Sequence, residues 1–168
     1  MGKTYTDSRM PGKFWLFAIA SAVLPDADVV GFGLGIHYED MLGHRGLTHS
    51  LPFALLWGFG VVWCEFKEIT RFSRRWWSLV AFFFAVTASH GVLDAFTNGG
   101  LGVAFFAPFS VTRYFFPWNP IEVSPLTVKE FFSQWGGAVV KSELLWVWLP
   151  FSMLWLGACW LRKILYRK

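Results

Sequence analysis

Four apolar runs alternate with polar or glycine-rich segments along the chain, at residues 14–25, 51–66, 76–97 and 144–161. The third run is long enough to cross a bilayer, which takes about 20 apolar residues. Ser50 and Pro52 are typical of the start of a helix, and Asn98-Gly99-Gly100 is typical of the end of one. The pattern predicts an all-α membrane bundle of about four apolar helices, in a single domain that covers residues 1–168.

The segments between these runs predict irregular structure. Residues 29–42 are glycine-rich and predict a loop with at most one short helical turn. Residues 101–143 contain four prolines and predict a mixed region outside the cytoplasm. Within that region, alternation over residues 121–125 predicts a short extended strand, and residues 127–135 predict a surface helix.

The N-terminal run allows two interpretations. A basic start, a short apolar stretch and the small residues Ala20-Ser21-Ala22 also describe a signal peptide covering residues 1–22. The alternative is a retained helix that spans the bilayer only in part. We favour retention because Asp26 and Asp28 follow so closely, and cleavage after Ala22 would still leave both carboxylates on the mature chain.

The composition supports a membrane location. Hydrophobic residues make up 55% of the chain and charged residues 15%, against about 25% charged residues in ordinary globular proteins. The net charge is +4, but the basic residues lie at the ends of apolar runs and form no stripe with exposed aromatics. We therefore expect contact with membrane lipids and no nucleic-acid partner, and the oligomeric state stays open.

The distribution of basic residues predicts an orientation. If the chain crosses four times with both termini in the cytoplasm, 11 of the 15 lysines and arginines face the cytoplasm, in agreement with the positive-inside rule. These are Lys3, Arg9, Lys13, Lys67, Arg71, Arg74, Arg75, Arg162, Lys163, Arg167 and Lys168. The three polar clusters described next then lie on the outer side of the membrane.

Three clusters carry the candidate chemistry. His90 and Asp94 are four residues apart, so they share one face of the third helix, and ionisable residues inside a span are usually functional. His44 and His49 flank a turn at Gly46. The third cluster follows Pro25, where an extended segment would put both of its carboxylates on one face; it consists of Asp26 and Asp28.

Three histidines and three aspartates predict a metal site for one or two divalent ions. Imidazole with carboxylate favours zinc, with manganese, iron or nickel as alternatives. Such ions activate water and support phosphoryl displacement. Arg45 is the candidate anion clamp, and Thr48 and Ser50 are candidates for holding the imidazoles. Glu122 is a candidate ligand or general base, with a plain loop carboxylate as the alternative.

At these residues the sequence resembles the bacterial membrane-bound metal-dependent hydrolases, the YdjM/YbcI-like inner-membrane proteins. The motifs are Leu24-Pro25-Asp26-Ala27-Asp28, His44-Arg45-Gly46-Leu47-Thr48-His49-Ser50 and Ser89-His90-Gly91-Val92-Leu93-Asp94. The family is similar at a distance to zinc-dependent phospholipase C and P1-type nucleases, which implies phosphoester chemistry. Its members usually carry a histidine ahead of the first helix. This chain has none before His37, so a metal position is lost, His37 replaces it, or the start is truncated.

The leading hypothesis is a metal-dependent hydrolase of a phosphoester, with a lipid or lipid-linked substrate and metal-activated water as nucleophile. The alternative is a non-catalytic metal-binding membrane scaffold or regulator, which a closed coordination sphere would favour. A metal-ion or proton carrier ranks last, because residues 51–66 and 144–161 supply few polar side chains for a path across the bilayer.

Overall fold

The computed structural model describes residues 12–165, and its regular structure is entirely helical. The α-helices are Gly12–Val23 (α1), Leu51–Glu65 (α2), Arg74–Ala95 (α3), Val128–Phe131 (α4), Gln134–Glu143 (α5) and Leu149–Leu165 (α6). Two 3-10 helices, Leu24–Leu34 and Leu47–His49, lie between α1 and α2, and a π-helix, Leu144–Trp148, joins α5 to α6. The prediction of an all-α membrane bundle is confirmed.

Three helical runs are long and apolar enough to cross a membrane: Gly12–Leu34, Arg74–Ala95 and Gln134–Leu165. A fourth apolar helix, Leu51–Glu65, is shorter. The second and third runs read from the sequence agree with α2 and α3 to within two residues. The first and last are longer than expected, because 3-10, α and π segments continue the helical backbone beyond the apolar stretch.

The expectation of an extended segment at Asp26 is wrong, and the glycine-rich loop expected over residues 29–42 begins only after Leu34. Leu24–Leu34 is a 3-10 helix with Pro25 in its first turn, where the missing N–H is not needed. Gly35 ends it in the left-handed conformation, with φ of 82°, and donates its backbone N–H to the carbonyls of Gly31 and Phe32. In apolar surroundings a helix satisfies backbone groups that a loop would leave open.

The short strand expected at residues 121–125 is also wrong. In the described part of the chain, this segment makes only an isolated parallel bridge, between Thr97 and Ile121. Prolines at 120 and 125 limit the ladder, because proline has no N–H to donate. The surface helix expected over residues 127–135 is divided between α4 and the start of α5, since Thr127 and Ser133 each cap a new helix.

The chain forms two compact units. Among the described residues, the first unit runs to Val92 and also contains Val103–Arg113. The second contains Leu93–Gly102 and the chain from Tyr114 onward. The single domain over residues 1–168 stays a prediction. Lys3, Arg9, Arg167 and Lys168, which entered the orientation argument, and most of the possible signal peptide's polar start lie outside the described residues.

The apolar core of the first unit joins α1, α2 and α3. Its buried members are Phe14, Val61, Val62, Phe66, Trp76, Leu79, Val80 and Phe83. A polar contact also ties α1 to α2, because the indole N–H of Trp57 donates to Ser21 Oγ at 2.9 Å. This core fixes α1, α2 and α3; His90 lies on α3, and Asp26, Asp28, His44 and His49 lie in the segment that connects α1 to α2.

Candidate metal centre

The histidine-bearing loop is shaped by short local hydrogen bonds. Leu47–His49 is a single 3-10 turn, and Ser50 follows it as the N-cap of α2, with its Oγ accepting the N–H of Phe53 at 3.2 Å. The predicted cap is therefore confirmed, and Ser50 has this backbone role. Gly46 provides space here, since a Cβ at that position would lie 2.3 Å from the carbonyl oxygen of Met41.

Arg113 holds this loop from a distant part of the sequence. Its guanidinium donates to the backbone carbonyl oxygens of Tyr38 at 2.8 Å, His44 at 3.0 Å and Asp40 at 3.2 Å. Burial lowers the pKa of Arg113 from its usual range, yet a guanidinium remains charged in proteins. The sequence analysis missed this residue, although a lone arginine in the long apolar stretch from Leu101 to Trp118 was the available signal.

Two neighbouring side chains determine which ring nitrogen of His49 carries the proton. The side chain is fully buried, and Nδ1 lies 3.0 Å from Thr48 Oγ1 and 3.2 Å from Asp28 Oδ2. The Thr48 hydroxyl gives its single proton to Asp28 Oδ2 at 2.6 Å. Nδ1 of His49 must therefore be the donor, which leaves the lone pair of a neutral ring on Nε2.

His90 on α3 has the same tautomer for a different reason. Its Nδ1 lies 2.8 Å from the carbonyl oxygen of Ala22, in the last turn of α1. A carbonyl oxygen only accepts hydrogen bonds, so Nδ1 carries the proton, and the lone pair of a neutral ring is on Nε2, the atom of a potential metal ligand. A carbonyl contact of this kind is the usual way in which proteins orient a metal-binding histidine.

Both Nε2 atoms approach the same carboxylate oxygen. Oδ1 of Asp26 lies 3.2 Å from Nε2 of His90 and 3.5 Å from Nε2 of His49. Two imidazole lone pairs and a carboxylate are all electron-pair donors, so this arrangement is stabilised by a cation or by added protons between them. The donor set therefore fits a divalent metal ion.

Asp94 lies one helical turn beyond His90 on α3. The two residues share a helix face, as the sequence predicted. Because α3 is a continuous helix through both residues, this pairing is set by local backbone geometry.

A second group of potential ligands, Asp28, His44 and His49, is more deeply buried. Only 3% of the Asp28 side chain is exposed, and its Oδ1 accepts from His44 Nδ1 at 2.7 Å. The His44 ring in turn packs edge-on against Tyr38, with centroids 5.2 Å apart. His49 is common to both groups, and its two ring nitrogens face different aspartates.

The two aspartates point to different sides of His49 because their backbone is a 3-10 helix. With three residues per turn, positions two apart differ by about 120° around the axis. The expectation that both carboxylates share a face is therefore wrong. In the structure 54% of the Asp26 side chain is exposed, against 3% of Asp28. One carboxylate opens to the surroundings and the other is enclosed.

Gly91 lets α3 reach the histidine loop. A Cβ at this position would lie 2.7 Å from the carbonyl oxygen of His49, a distance that real side chains do not tolerate. The glycine next to His90 in the third motif therefore has a packing role. It brings the α3 backbone against the residue whose imidazole faces Asp26.

Three other sequence-predicted residues have different surroundings. Arg45 is buried, with 3% of its surface exposed, and its φ of 61° is left-handed. Glu122 belongs to the second unit, where its Oε2 accepts from the Asn98 side-chain amide at 2.7 Å. His37 is exposed, close to Asp40. None of them belongs to either histidine–aspartate group found among the described residues, and the clamp and base roles stay predictions.

Comparison with known proteins places the chain in a family. The family described as YdjM inner membrane protein matches residues 2–165. The inner membrane protein YbcI of Escherichia coli (strain K12) is 39% identical over 159 residues, which cover 92% of this chain and 87% of that protein. No solved structure matches. With its several candidate spans, the chain is a multi-pass protein of the inner membrane, and it belongs to the YdjM family of inner membrane proteins.

Proposed function

We propose that this protein is a membrane-bound, metal-dependent hydrolase of phosphoesters. The observation that carries the proposal is the convergence of two imidazole Nε2 atoms on Asp26 Oδ1, at 3.2 and 3.5 Å. Each imidazole has its Nδ1 committed elsewhere, which pre-orients the ligand atoms. Ionisable groups in candidate spans are costly and are usually retained for function.

The donor set favours zinc, with manganese, iron or nickel as alternatives. His49 and His90 would supply nitrogen ligands, Asp26 an oxygen ligand, and Asp94 a further oxygen from the same face of α3 as His90. A bound ion of this kind supplies Lewis acidity that activates water and polarises a phosphoryl group. Catalytic zinc sites keep a position open for water or substrate, and the exposed Asp26 leaves such a side open.

The protein's own groups would orient the reactants. Asp26 directs Oδ1 toward both histidines, and its second carboxylate oxygen is the nearest candidate to accept a proton from an attacking water. Water would form the new bond to phosphorus as the ester oxygen leaves. Arg45 and Glu122 remain proposed as anion clamp and additional base, and the burial of Arg45 requires the phosphate to reach it inside the protein.

A lipid or lipid-linked substrate suits the position of the site. Asp26 lies within the first candidate span, and the apolar side chains of Val23 and Val30 on the same segment are exposed. A substrate that carries acyl or prenyl chains would keep these chains in the bilayer while its phosphoester approaches Asp26. The apolar border thus favours a lipid-like ester over a free water-soluble one.

We place the site on the outer side of the membrane, with both termini in the cytoplasm. The support is the excess of basic residues at the opposite ends of the apolar runs. A fluorescent protein that matures only in the cytoplasm, fused after Lys168, should fluoresce. A fusion without fluorescence, together with activity from a periplasmic reporter at the same position, would reverse the orientation.

Metal analysis of the purified protein and hydrolysis of phosphodiester lipids test the proposed function. We expect bound transition metal and turnover in the wild type, with both lost in His90→Ala. His37→Ala is the matched control, because His37 is exposed and lies outside both histidine–aspartate groups. Wild-type protein without transition metal, or full activity in His90→Ala, would exclude the proposal. Bound metal without turnover of any phosphoester would favour the non-catalytic scaffold.

A further inference from the structure

The six predicted ligands form two groups that share His49, and this leaves the number of ions to be decided. If both groups bound metal, His49 would bridge two ions through its two ring nitrogens. If only one did, the other group would serve to position the first. The distances between donor atoms separate these cases.

The first group has the spacing of metal ligands. With bonds of about 2.0–2.1 Å, the ligand atoms of a tetrahedral zinc site lie roughly 3.3 Å from one another. Asp26 Oδ1 lies 3.2 Å from His90 Nε2 and 3.5 Å from His49 Nε2. Both distances match the edge of such a tetrahedron.

In the second group, Asp28 Oδ2 lies 3.2 Å from His49 Nδ1, but both oxygens of Asp28 also make shorter, direct hydrogen bonds. Asp28 Oδ1 and His44 Nδ1 are 2.7 Å apart, and Asp28 Oδ2 and Thr48 Oγ1 are 2.6 Å apart. These are the lengths of charge-assisted hydrogen bonds, shorter than the edge of a metal polyhedron. Each oxygen of this buried carboxylate already accepts a proton donor, so an ion would have to displace protons from both sides.

We infer that the protein binds a single ion, and that Asp28 and His44 are positioning residues rather than ligands. This inference rests on the metal site of the proposed function. Asp28 is fixed by His44 and Thr48, and it fixes in turn the Nδ1–H of His49. Nε2 of His49 is thereby directed toward Asp26. Carboxylate–histidine–metal chains of this kind commonly tune metal sites.

The position of His44 is itself fixed by its surroundings. Its carbonyl oxygen accepts from Arg113 at 3.0 Å, and its ring contacts the edge of Tyr38. These contacts hold the imidazole with Nδ1 toward Asp28. The motif therefore uses its first histidine to support an aspartate and its second histidine to bind the ion.

The test is X-ray absorption at the zinc edge, with metal counting, on the zinc-loaded full-length wild type in detergent. We expect one zinc per chain, with imidazole in its coordination sphere. Two ions bridged by the His49 ring would lie farther apart than the about 3.5–4 Å of other two-metal sites, so the metal count decides between one ion and two. No variant is needed for this measurement, so a folding defect cannot confuse it. Two zinc ions per chain would overturn the inference, and protein that binds none of zinc, manganese, iron and nickel would overturn both it and the proposed function.

Variants allow the loss of a supporting residue to be compared with the loss of a metal ligand. His44→Gln should keep one zinc per chain and weaken its binding by about 10- to 100-fold, as loss of a supporting partner does. Thr48→Val should weaken binding in the same range, and Thr48→Ser should restore it by returning the hydroxyl. His90→Gln should lower the stoichiometry below one. One bound zinc with no turnover would exclude the proposed function but leave the single-ion inference standing. Two zinc ions in the wild type, falling to one in His44→Gln, would exclude the single-ion inference but leave the proposed function standing.

Discussion

Helix α3 and the C-terminal helical run Gln134–Leu165 are both long enough to span a bilayer and have nearly equal mean hydropathy. Their surroundings differ. In the apolar window of α3, 39% of the residues are buried inside the protein, whereas none is buried in the corresponding window of the C-terminal run. α3 also carries His90 and Asp94. Hydropathy identifies a span, but burial shows which span helps to build the interior and its polar site.

The difference has a physical basis in the solvent. A lipid-facing side chain is in an apolar environment both before and after folding, so it contributes little to the free energy of unfolding. A side chain packed against protein gains close contacts that lipid does not reproduce as well. Substitutions in α3 should therefore have larger effects than the same substitutions in the C-terminal run.

The largest effect is expected at Phe83, which is fully buried in the core of the first unit. Phe83→Ala should lower the free energy of unfolding by about 3–5 kcal/mol, because it removes a large side chain and leaves a cavity. Phe151→Ala, at an exposed position of α6, should change it by less than about 0.5 kcal/mol. Denaturant titration in mixed micelles measures both, and equal losses would refute the comparison.

The next effect is expected in metal binding. His90→Ala should weaken zinc binding by at least about 100-fold, since a direct ligand contributes at least as much as a supporting partner. Trp155→Ala, in the exposed face of α6, should leave zinc affinity unchanged. Competition with a chromogenic chelator measures both affinities. Comparable losses of zinc affinity in the two variants would mean that α3 contributes no more to the metal site than α6 does.

Two glycines provide a matched pair with a smaller effect. Gly91→Ala places a Cβ 2.7 Å from the carbonyl oxygen of His49, so it should destabilise the protein by about 1–3 kcal/mol and weaken zinc binding. Gly157→Ala meets no atom within 4 Å and should be neutral or stabilise the helix by up to about 1 kcal/mol. Thermal unfolding without zinc measures the change in stability, and the shift on adding zinc measures the change in zinc binding. If Gly91→Ala changed neither stability nor zinc binding, the close approach of α3 to His49 would not be needed.

The smallest effect is expected at an exposed ion pair between the start of α1 and the loop that joins α2 to α3. Lys13 Nζ lies 2.7 Å from Glu68 Oε1, and this contact lowers the pKa of Glu68. A lowered pKa means that the stabilisation is present above the ordinary carboxyl range and is lost as the pH falls through the lowered value. Solvent screening limits the contribution to less than about 1 kcal/mol. Glu68→Gln should reduce this pH dependence, which unfolding curves between neutral and acidic pH would detect.

The sequence predicted regular structure well where local rules suffice. The start of α2 follows from Ser50 as N-cap and Pro52 in the first turn. The long apolar run 76–97 predicted α3 to within two residues, but α3 ends at Ala95, before the glycines expected to end it. The sequence predicted the backbone near Asp26 poorly. Proline and several glycines there resemble a loop, and no local rule gives the apolar surroundings that favour a continuous 3-10 helix.

The amino-acid sequence alone determined that the chain is helical and membrane-embedded, and that six histidines and aspartates stand out in it, because composition and periodicity are local properties. Only the tertiary structure decided how these six side chains divide. The 3-10 helix turns Asp26 outward and Asp28 inward, and contacts with Ala22 and Thr48 direct the two Nε2 atoms to one oxygen. These contacts join residues up to 68 positions apart, and hydrogen bonds over such separations depend on packing that no local pattern records.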